Sequence, residues 1–364
     1  MAKHFAIMLH HGLGDVICAL PALWAADRHL GREGRFDIVV KSPLEAGVLR
    51  SVDWQGRMRV HYLNAGPPWR RIAHTLAVAI RLRAARPDVF LAPHVTSHDM
   101  AARLARLVGA PWAVLPAATE DERHVAKVRG EHKTRYYARF LGKSGLPMDI
   151  DRLCFPPLAQ GGRQPDGGLR LVLAPAVGAA GEQHKSWPAI HFSALANAMI
   201  ERWPDARLVL FAAPPERPLL ERVLAGVSEE KRSRVELLTP PAPELAAEAL
   251  VGASCVVTSC SGASHLAAWA DAPIVGIYGP TNPGFTGPFS SKLHVIRKGY
   301  ACSPCYRADF ISGCGTPVCM TDIMPGDVLP VVAATVAGSP PSVLPILETT
   351  DAIGPDRRIA GAVA

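Results

Sequence analysis

The chain has 364 residues, a net charge of +7, 49% apolar and 20% charged residues. At roughly 150 residues per domain this suits two globular domains, each with its own core, and excludes a disordered or fibrous chain. The positive charge is spread out, with no long Lys/Arg block and little aromatic interleaving. Nucleic acid is therefore not expected, whereas a nucleotide, an anionic headgroup or a phosphorylated glycan fits.

Lys3 and His4 precede an apolar run, but His10, His11 and Asp15 interrupt it too early for a secretory signal. No run of about 18 truly apolar residues reads as a membrane span. A cytoplasmic protein is expected, with room for peripheral contact on the inner face of the cytoplasmic membrane. Its eight cysteines then read as thiols or metal ligands rather than disulfides.

In chain order, residues 5–9 read as a strand, 10–14 as a glycine-bearing loop, and Asp15 opens a helix to Leu30. Gly12 and Gly14 permit close backbone approach. Asp15 has two readings. It is a carboxylate favoured at a helix start by capping and the dipole, or a general base at the mouth of a cleft. Residues 36–40, 58–63, 89–92 and 112–115 follow as strands. Residues 69–84 and 97–107 have helical spacing, with Gly109 as C-cap, and 132–145 form the last helix of this half. Arg70, Arg71, Arg81, Arg83 and Arg86 cluster on or near one helix. A solvated face is the plain reading, and recognition of an acidic acceptor is the other.

Residues 146–168 hold Pro147, Pro156, Pro157, Pro165 and four glycines, and read as a linker. It divides the chain into domains 1–160 and 161–338, followed by an irregular tail, 339–364. After the linker the alternation resumes: strand 169–173, loop 174–187, helix from Pro188 to Arg202, strand 207–211, helix 215–225, strand 235–238 and helix 244–251. Strand 255–258 leads into the small-residue turn Ser259, Cys260, Ser261, Gly262. A helix over 263–270 is stopped by Asp271-Ala272-Pro273, and strand 274–278 ends in a loop carrying Thr281. The alternation predicts α/β architecture: two parallel sheets covered by helices and facing across a cleft.

The turn at Ser261 and Gly262 offers backbone N–H groups at a helix N-terminus, where an anion is favoured, or is an ordinary crossover turn. Lys185 lies just before a helix, where a cation opposes the dipole unless an anion bridges them. Glu216 is a cap or a partner for ribose hydroxyls. His265 is a structural helix histidine, or it faces the same crevice as Ser261 and Gly262.

The ordered set GDVICALPAL, KSWP, SGASHLAAWADAP and YGPTNP resembles the ADP-heptose:lipopolysaccharide heptosyltransferases of glycosyltransferase family 9, over about residues 5–336. The resemblance implies a GT-B fold of two Rossmann-like domains, the acceptor bound by the first and the nucleotide sugar by the second. It implies inverting transfer from ADP-heptose or a related nucleotide-diphosphate sugar to a glycan, lipid-linked or protein acceptor, with no catalytic metal. Asp15 then matches the general base. Lys185, Ser261, Gly262 and His265 match residues that bind the donor diphosphate, Glu216 lies at the ribose, and Thr281 and Cys260 join the donor set. The chain departs from the family at Cys260, where an Asp is usual. A donor that differs from heptose at the facing hydroxyls is expected.

The last feature is Cys302-x2-Cys305-x8-Cys314-x4-Cys319. Cysteines at such short spacing in a cytosolic chain point to a tetrahedral structural metal, zinc or iron, against a reduced or redox-active thiol cluster. Similar cysteine pairs occur in relatives of the family, some with iron. Cys18 and Cys154 read as core residues, and residues 325–336 as a final helix. Two other functions stay open: a non-catalytic glycosyltransferase-like binding protein, and a thiol or metal sensor built on the four cysteines.

Overall fold

The computed structural model describes residues 3–9, 12–63, 67–94, 98–117, 120–126, 128, 131–158, 168–178, 183–305, 314 and 317–341. The chain forms two compact units, one of residues 1–163 with 241–249, the other of 164–240 with 250–364.

The sheet of the first unit contains β1 (His4–Leu9), β2 (Arg35–Val40), β3 (Arg57–Tyr62), β4 (Val89–His94), β5 (Trp112–Ala117) and β6 (His124–Ala126). Their order is β3-β2-β1-β4-β5-β6, and every pair is parallel. Its helices are α1 (Leu13–Leu30), α2 (Pro43–Arg50), α3 (Pro68–Ala85), α4 (His98–Val108) and α5 (Lys133–Gly142). Successive strand residues face opposite ways. Ala6, Met8 and Val39 therefore share a core with Val78 and Leu82 of α3 and Leu104 and Val108 of α4.

The second sheet contains β7 (Arg170–Ala174), β8 (Arg207–Phe211), β9 (Val235–Leu238), β10 (Cys255–Ser259), β11 (Ile274–Ile277) and β12 (Leu293–Ile296). Their order is β12-β11-β10-β7-β8-β9, again parallel throughout. The helices of this half of the chain are α6 (Ala189–Arg202), α7 (Arg217–Ala225), α8 (Glu229–Arg232), α9 (Pro243–Leu250), α10 (Gly262–Trp269), α11 (Pro283–Thr286), α12 (Val318–Thr321) and α13 (Pro325–Val336). Most of α9 packs with the first unit. The core joins Leu171, Leu173 and Val257 of the sheet to Phe192 and Leu195 of α6 and Val328 and Val332 of α13.

In both sheets the strand order reverses at the first strand of the unit, between β1 and β4 and between β7 and β10. Because the strands are parallel, the loops leaving their carboxyl ends gather on one edge. Open α/β sheets bind ligands at that edge, at the point of reversal.

β6, β12, α2, α8, α11 and α12 are absent from the sequence reading. β12 has only four residues, too few to show periodicity. α2 does carry a start signal: Ser42 accepts from the Leu44 N–H at 3.3 Å, with Pro43 in the first turn. Within the expected linker, residues 159–167 lie outside the described residues, as does the tail from 342 onward. Among the described residues, no helix is long and apolar enough to cross a membrane.

Candidate functional site

The site in the second unit forms where β10 turns into α10. β10 pairs with β7 through Val257↔Leu173 and Thr258↔Ala174, so the loops after these strands are neighbours. Ser261 is the N-cap of α10, with extended backbone (φ −149°, ψ 172°) and no side-chain cap bond. Its hydroxyl instead meets Thr258 Oγ1 at 3.1 Å. The first turn of α10 therefore presents backbone N–H groups that its own N-cap side chain does not cap. The helix ends in a Schellman closure. Asp271 takes a left-handed φ of 55°, and the Ala272 N–H donates to Ala267 O at 2.9 Å.

Lys185 ends a one-turn helix, Gln183–Lys185, and is 7% exposed. Its loop is tied to the end of β10, because the Trp187 N–H donates to Ser259 Oγ at 3.3 Å. The Trp187 indole N–H donates to Ile323 O at 2.7 Å, which anchors that loop in the core. Glu216 follows β8, the neighbour of β7. One carboxylate oxygen accepts from the Gly178 N–H at 3.1 Å and the other from the Ala213 N–H at 3.2 Å. Each oxygen retains acceptor capacity for a ribose hydroxyl.

Thr281 lies in the loop after β11, the neighbour of β10. It is 2% exposed, and its hydroxyl has no hydrogen-bond partner among the described residues. An orphaned buried hydroxyl costs free energy unless a ligand or water completes it. His265 is buried within α10. Cys260 is also buried, and it packs with Tyr278 and Val295. Its sulfur lies 3.6 Å from Thr286 Oγ1. Lys185, Glu216, Cys260, Ser261, Gly262, His265 and Thr281 thus all lie on the loops and helix starts after β7, β8, β10 and β11.

Asp15 stands in the first turn of α1, directly after β1 at the reversal point of the first sheet. The N-cap is Gly12, which makes no side-chain cap bond. The Asp15 carboxylate accepts from Lys133 Nζ at 2.5 Å, and both side chains are largely buried. Tyr137, one turn along α5, is fully buried. Burial, and then the charges of Asp15, Cys18 and Tyr136, push its phenol well above the ordinary range, so it stays neutral.

Lys133 is the residue that the sequence reading missed. Its signal was the one that singled out Lys185: a cation in the first turn of a helix, against the dipole.

The four cysteines share one neighbourhood. Burial, and then the charges of Cys305, Cys302 and Cys314, push the thiol of Cys319 up to about 12. Burial, and then Cys302 and Cys314, raise Cys305. Among the described residues, however, no three His, Cys, Asp or Glu side chains are gathered as a metal site. Most of the loop between Cys305 and Cys314 lies outside the described residues. Among the described residues the cysteines are therefore near one another without a coordination shell. The segment also braces the loop after β11. Ser303 Oγ donates to Gly279 O at 2.5 Å, and a Cβ on Gly279 would lie 2.6 Å from Cys319 Sγ.

Two parallel six-stranded sheets, each with its ligand edge at a strand-order reversal, are the two Rossmann-like halves of the GT-B glycosyltransferase fold. The structure of Escherichia coli heptosyltransferase WaaC with ADP matches with a TM-score of 0.69 at 22% identity, over 91% of this chain and 99% of that one. An iron-containing dodecameric glycosyltransferase, TibC from enterotoxigenic E. coli, matches at 0.58 and 11% identity, over 93% of this chain and 79% of that one.

Residues 167–314 match the model of glycosyltransferase family 9 (heptosyltransferase). It is 31% identical to lipooligosaccharide heptosyltransferase 2 of Haemophilus influenzae over 131 residues, 36% of this chain and 37% of the relative. That match, like those to several other curated relatives, spans about a third of the relative's length. Lipopolysaccharide heptosyltransferase 1 of E. coli is 27% identical over 303 residues, 78% of this chain and 90% of the relative.

Proposed function

We propose that this chain is an inverting glycosyltransferase that moves a sugar, heptose or a close relative, from an ADP-activated donor to a hydroxyl of a lipopolysaccharide glycan. The observation that carries the reading is the uncapped start of α10 at the strand-order reversal, with the loop bearing Lys185 tied to the end of β10. Such a turn suits a diphosphate. The relatives' names supply the heptose and the lipopolysaccharide.

In the reaction, Asp15 takes the proton of the acceptor hydroxyl as that oxygen bonds to the anomeric carbon. The bond from this carbon to the diphosphate breaks on the opposite face, so the configuration inverts and the electron pair leaves with ADP. Lys185 and the N–H groups of Gly262 and Ala263 meet the charge that develops there, with His265 beside them. Glu216 accepts from ribose hydroxyls, and the Thr281 hydroxyl gains a partner that it lacks among the described residues. Lys133 is a positioning residue. It fixes one oxygen of Asp15, and its charge favours the ionised carboxylate. The Asp15–Lys133 pair supports a transferase over a non-catalytic binding protein, which has no use for a positioned base.

Cys302, Cys305, Cys314 and Cys319 would hold a structural zinc or iron ion. Four thiolates leave no open coordination position, so the ion would supply folding energy to the segment behind Gly279. TibC, with the same fold, contains iron.

A thermal-shift screen of nucleotide sugars, followed by product mass, tests the assignment. Stabilisation by ADP-heptose and a mass gain of one sugar on lipopolysaccharide are expected. Stabilisation only by sugars on another nucleotide would overturn the ADP assignment, and no stabilisation by any nucleotide sugar would overturn the transferase reading.

A further inference from the structure

Helix α3 buries one side against the first sheet, where Val78 and Leu82 join the core. Its opposite side is apolar and open. Trp69 is 64% exposed, Ile72 62%, Leu76 46% and Ile80 66%. At 100° per residue these four side chains fall within an arc of about 80°, so they form one continuous ridge along the helix. Single exposed apolar residues are ordinary, but a contiguous ridge of large ones marks an interaction surface.

The surroundings of the ridge select its partner. No Asp or Glu occurs between Asp53 and Asp88, whereas Arg70, Arg81 and Arg86 all belong to this stretch and are exposed. The Arg70 guanidinium stacks over the Trp69 ring at 5.0 Å. Neither Arg70 nor Arg81 has an ion-pair partner among the described residues. A soluble anionic glycan would satisfy the arginines but leave Trp69, Ile72, Leu76 and Ile80 in water. A neutral protein groove would cover the ridge but strand the charges. An anionic bilayer surface satisfies both, with acyl chains for the ridge and headgroup phosphates for the arginines.

We propose that α3 docks the protein on an anionic lipid surface, lying parallel to it with the Trp69–Ile80 ridge inserted among the headgroups. The inference rests on α3 alone. It is tested without donor or acceptor, so its failure leaves the transferase assignment untouched.

Co-sedimentation with phosphatidylglycerol vesicles, and with phosphatidylcholine vesicles of the same size, provides the test. Wild type should partition onto the phosphatidylglycerol vesicles, less so at high salt, and only weakly onto the neutral ones. Ile72→Ser combined with Ile80→Ser should weaken binding at least about tenfold, and so should Arg70→Gln combined with Arg81→Gln. All four positions are exposed, so the variants should melt like wild type. A Leu76→Ser variant provides a second reading if one pair fails to fold. Unchanged partitioning of the ridge variants would overturn the proposal. So would a wild-type oligomer that ignores vesicles and becomes monomeric when the ridge is made polar, since the ridge would then be a contact between copies of this chain.

Discussion

Lys133 Nζ donates to Asp15 Oδ1 at 2.5 Å, joining the first turns of α5 and α1 across 118 positions of sequence. This bond holds the carboxylate to one side of the start of α1, and a cation so close favours its ionised form. Lys133→Met should therefore lower kcat while leaving donor affinity intact. It should also move the acid limb of the pH–rate profile upward, because Asp15 then protonates more easily. Lys133→Arg should restore most of the rate and the position of the limb. An unmoved limb in the Met variant would reduce Lys133 to a structural contact.

Cys260 gives the second expectation. Its side chain packs with Tyr278 and Val295 and meets the Thr286 hydroxyl, at the position where the family resemblance implies an Asp. A sulfur is a weak partner for a sugar hydroxyl, which loses roughly 1–3 kcal/mol if left unsatisfied. Cys260→Asp should raise the preference for ADP-heptose over ADP-sugars that lack the facing hydroxyls. Measured kcat/KM on a nucleotide-sugar panel decides it, and identical preference ratios in the two proteins would remove Cys260 from specificity.

The cysteine segment should matter more for folding than for chemistry. Protein purified without chelator should contain about one zinc or iron per chain. Cys302→Ser combined with Cys305→Ser should lose the metal and lower Tm, with a smaller effect on kcat. Gly279→Ala, whose new Cβ would meet Cys319 Sγ and Met320 Sδ within 2.7 Å, should destabilise the same region. Metal-free protein of full stability would sink the metal reading, while the Gly279 result bears on the packing alone.

Asp37 carries the clearest pH dependence. Burial pushes its carboxyl up, but hydrogen bonds from His4 and His61, at 2.7 and 2.6 Å, and their charges outweigh burial and hold it well below the usual range. A depressed folded-state pKa contributes stability that is present above the unfolded value, about 4, and is lost as pH falls through the folded one. Denaturant midpoints should therefore fall below about pH 4 in wild type. In Asp37→Asn this part of the acid dependence should be missing and the plateau lower. Parallel wild-type and variant curves would show that Asp37 contributes nothing to it.

Much of the framework was legible in the sequence. Residues 207–211, 235–238 and 325–336 were read with the bounds they have in the structure. Glycines, prolines and alternating apolar runs announce strands, turns and caps locally. The site loops were legible because Lys185 and the Ser261-Gly262 turn stand next to the helix starts they serve. What was hidden was pairing at a distance. Nothing in the residues near Asp15 names Lys133, and nothing at Asp37 names His4 and His61 on the flanking strands. The ridge on α3 was hidden too, because Trp69, Ile72, Leu76 and Ile80 have the spacing of a buried face. Only the packing of Val78 and Leu82 shows which side is covered.

The most direct test of the central claim is the anomeric configuration of the product. Wild type and Asp15→Asn would be incubated with ADP-heptose and heptose-deficient lipopolysaccharide, and the new linkage read by NMR alongside ADP release. The expected result is a linkage inverted relative to the donor, made at least roughly 100-fold more slowly by Asp15→Asn, with ADP binding unchanged. A linkage of retained configuration, or near-normal turnover by the Asn variant, would contradict inverting transfer with Asp15 as the base.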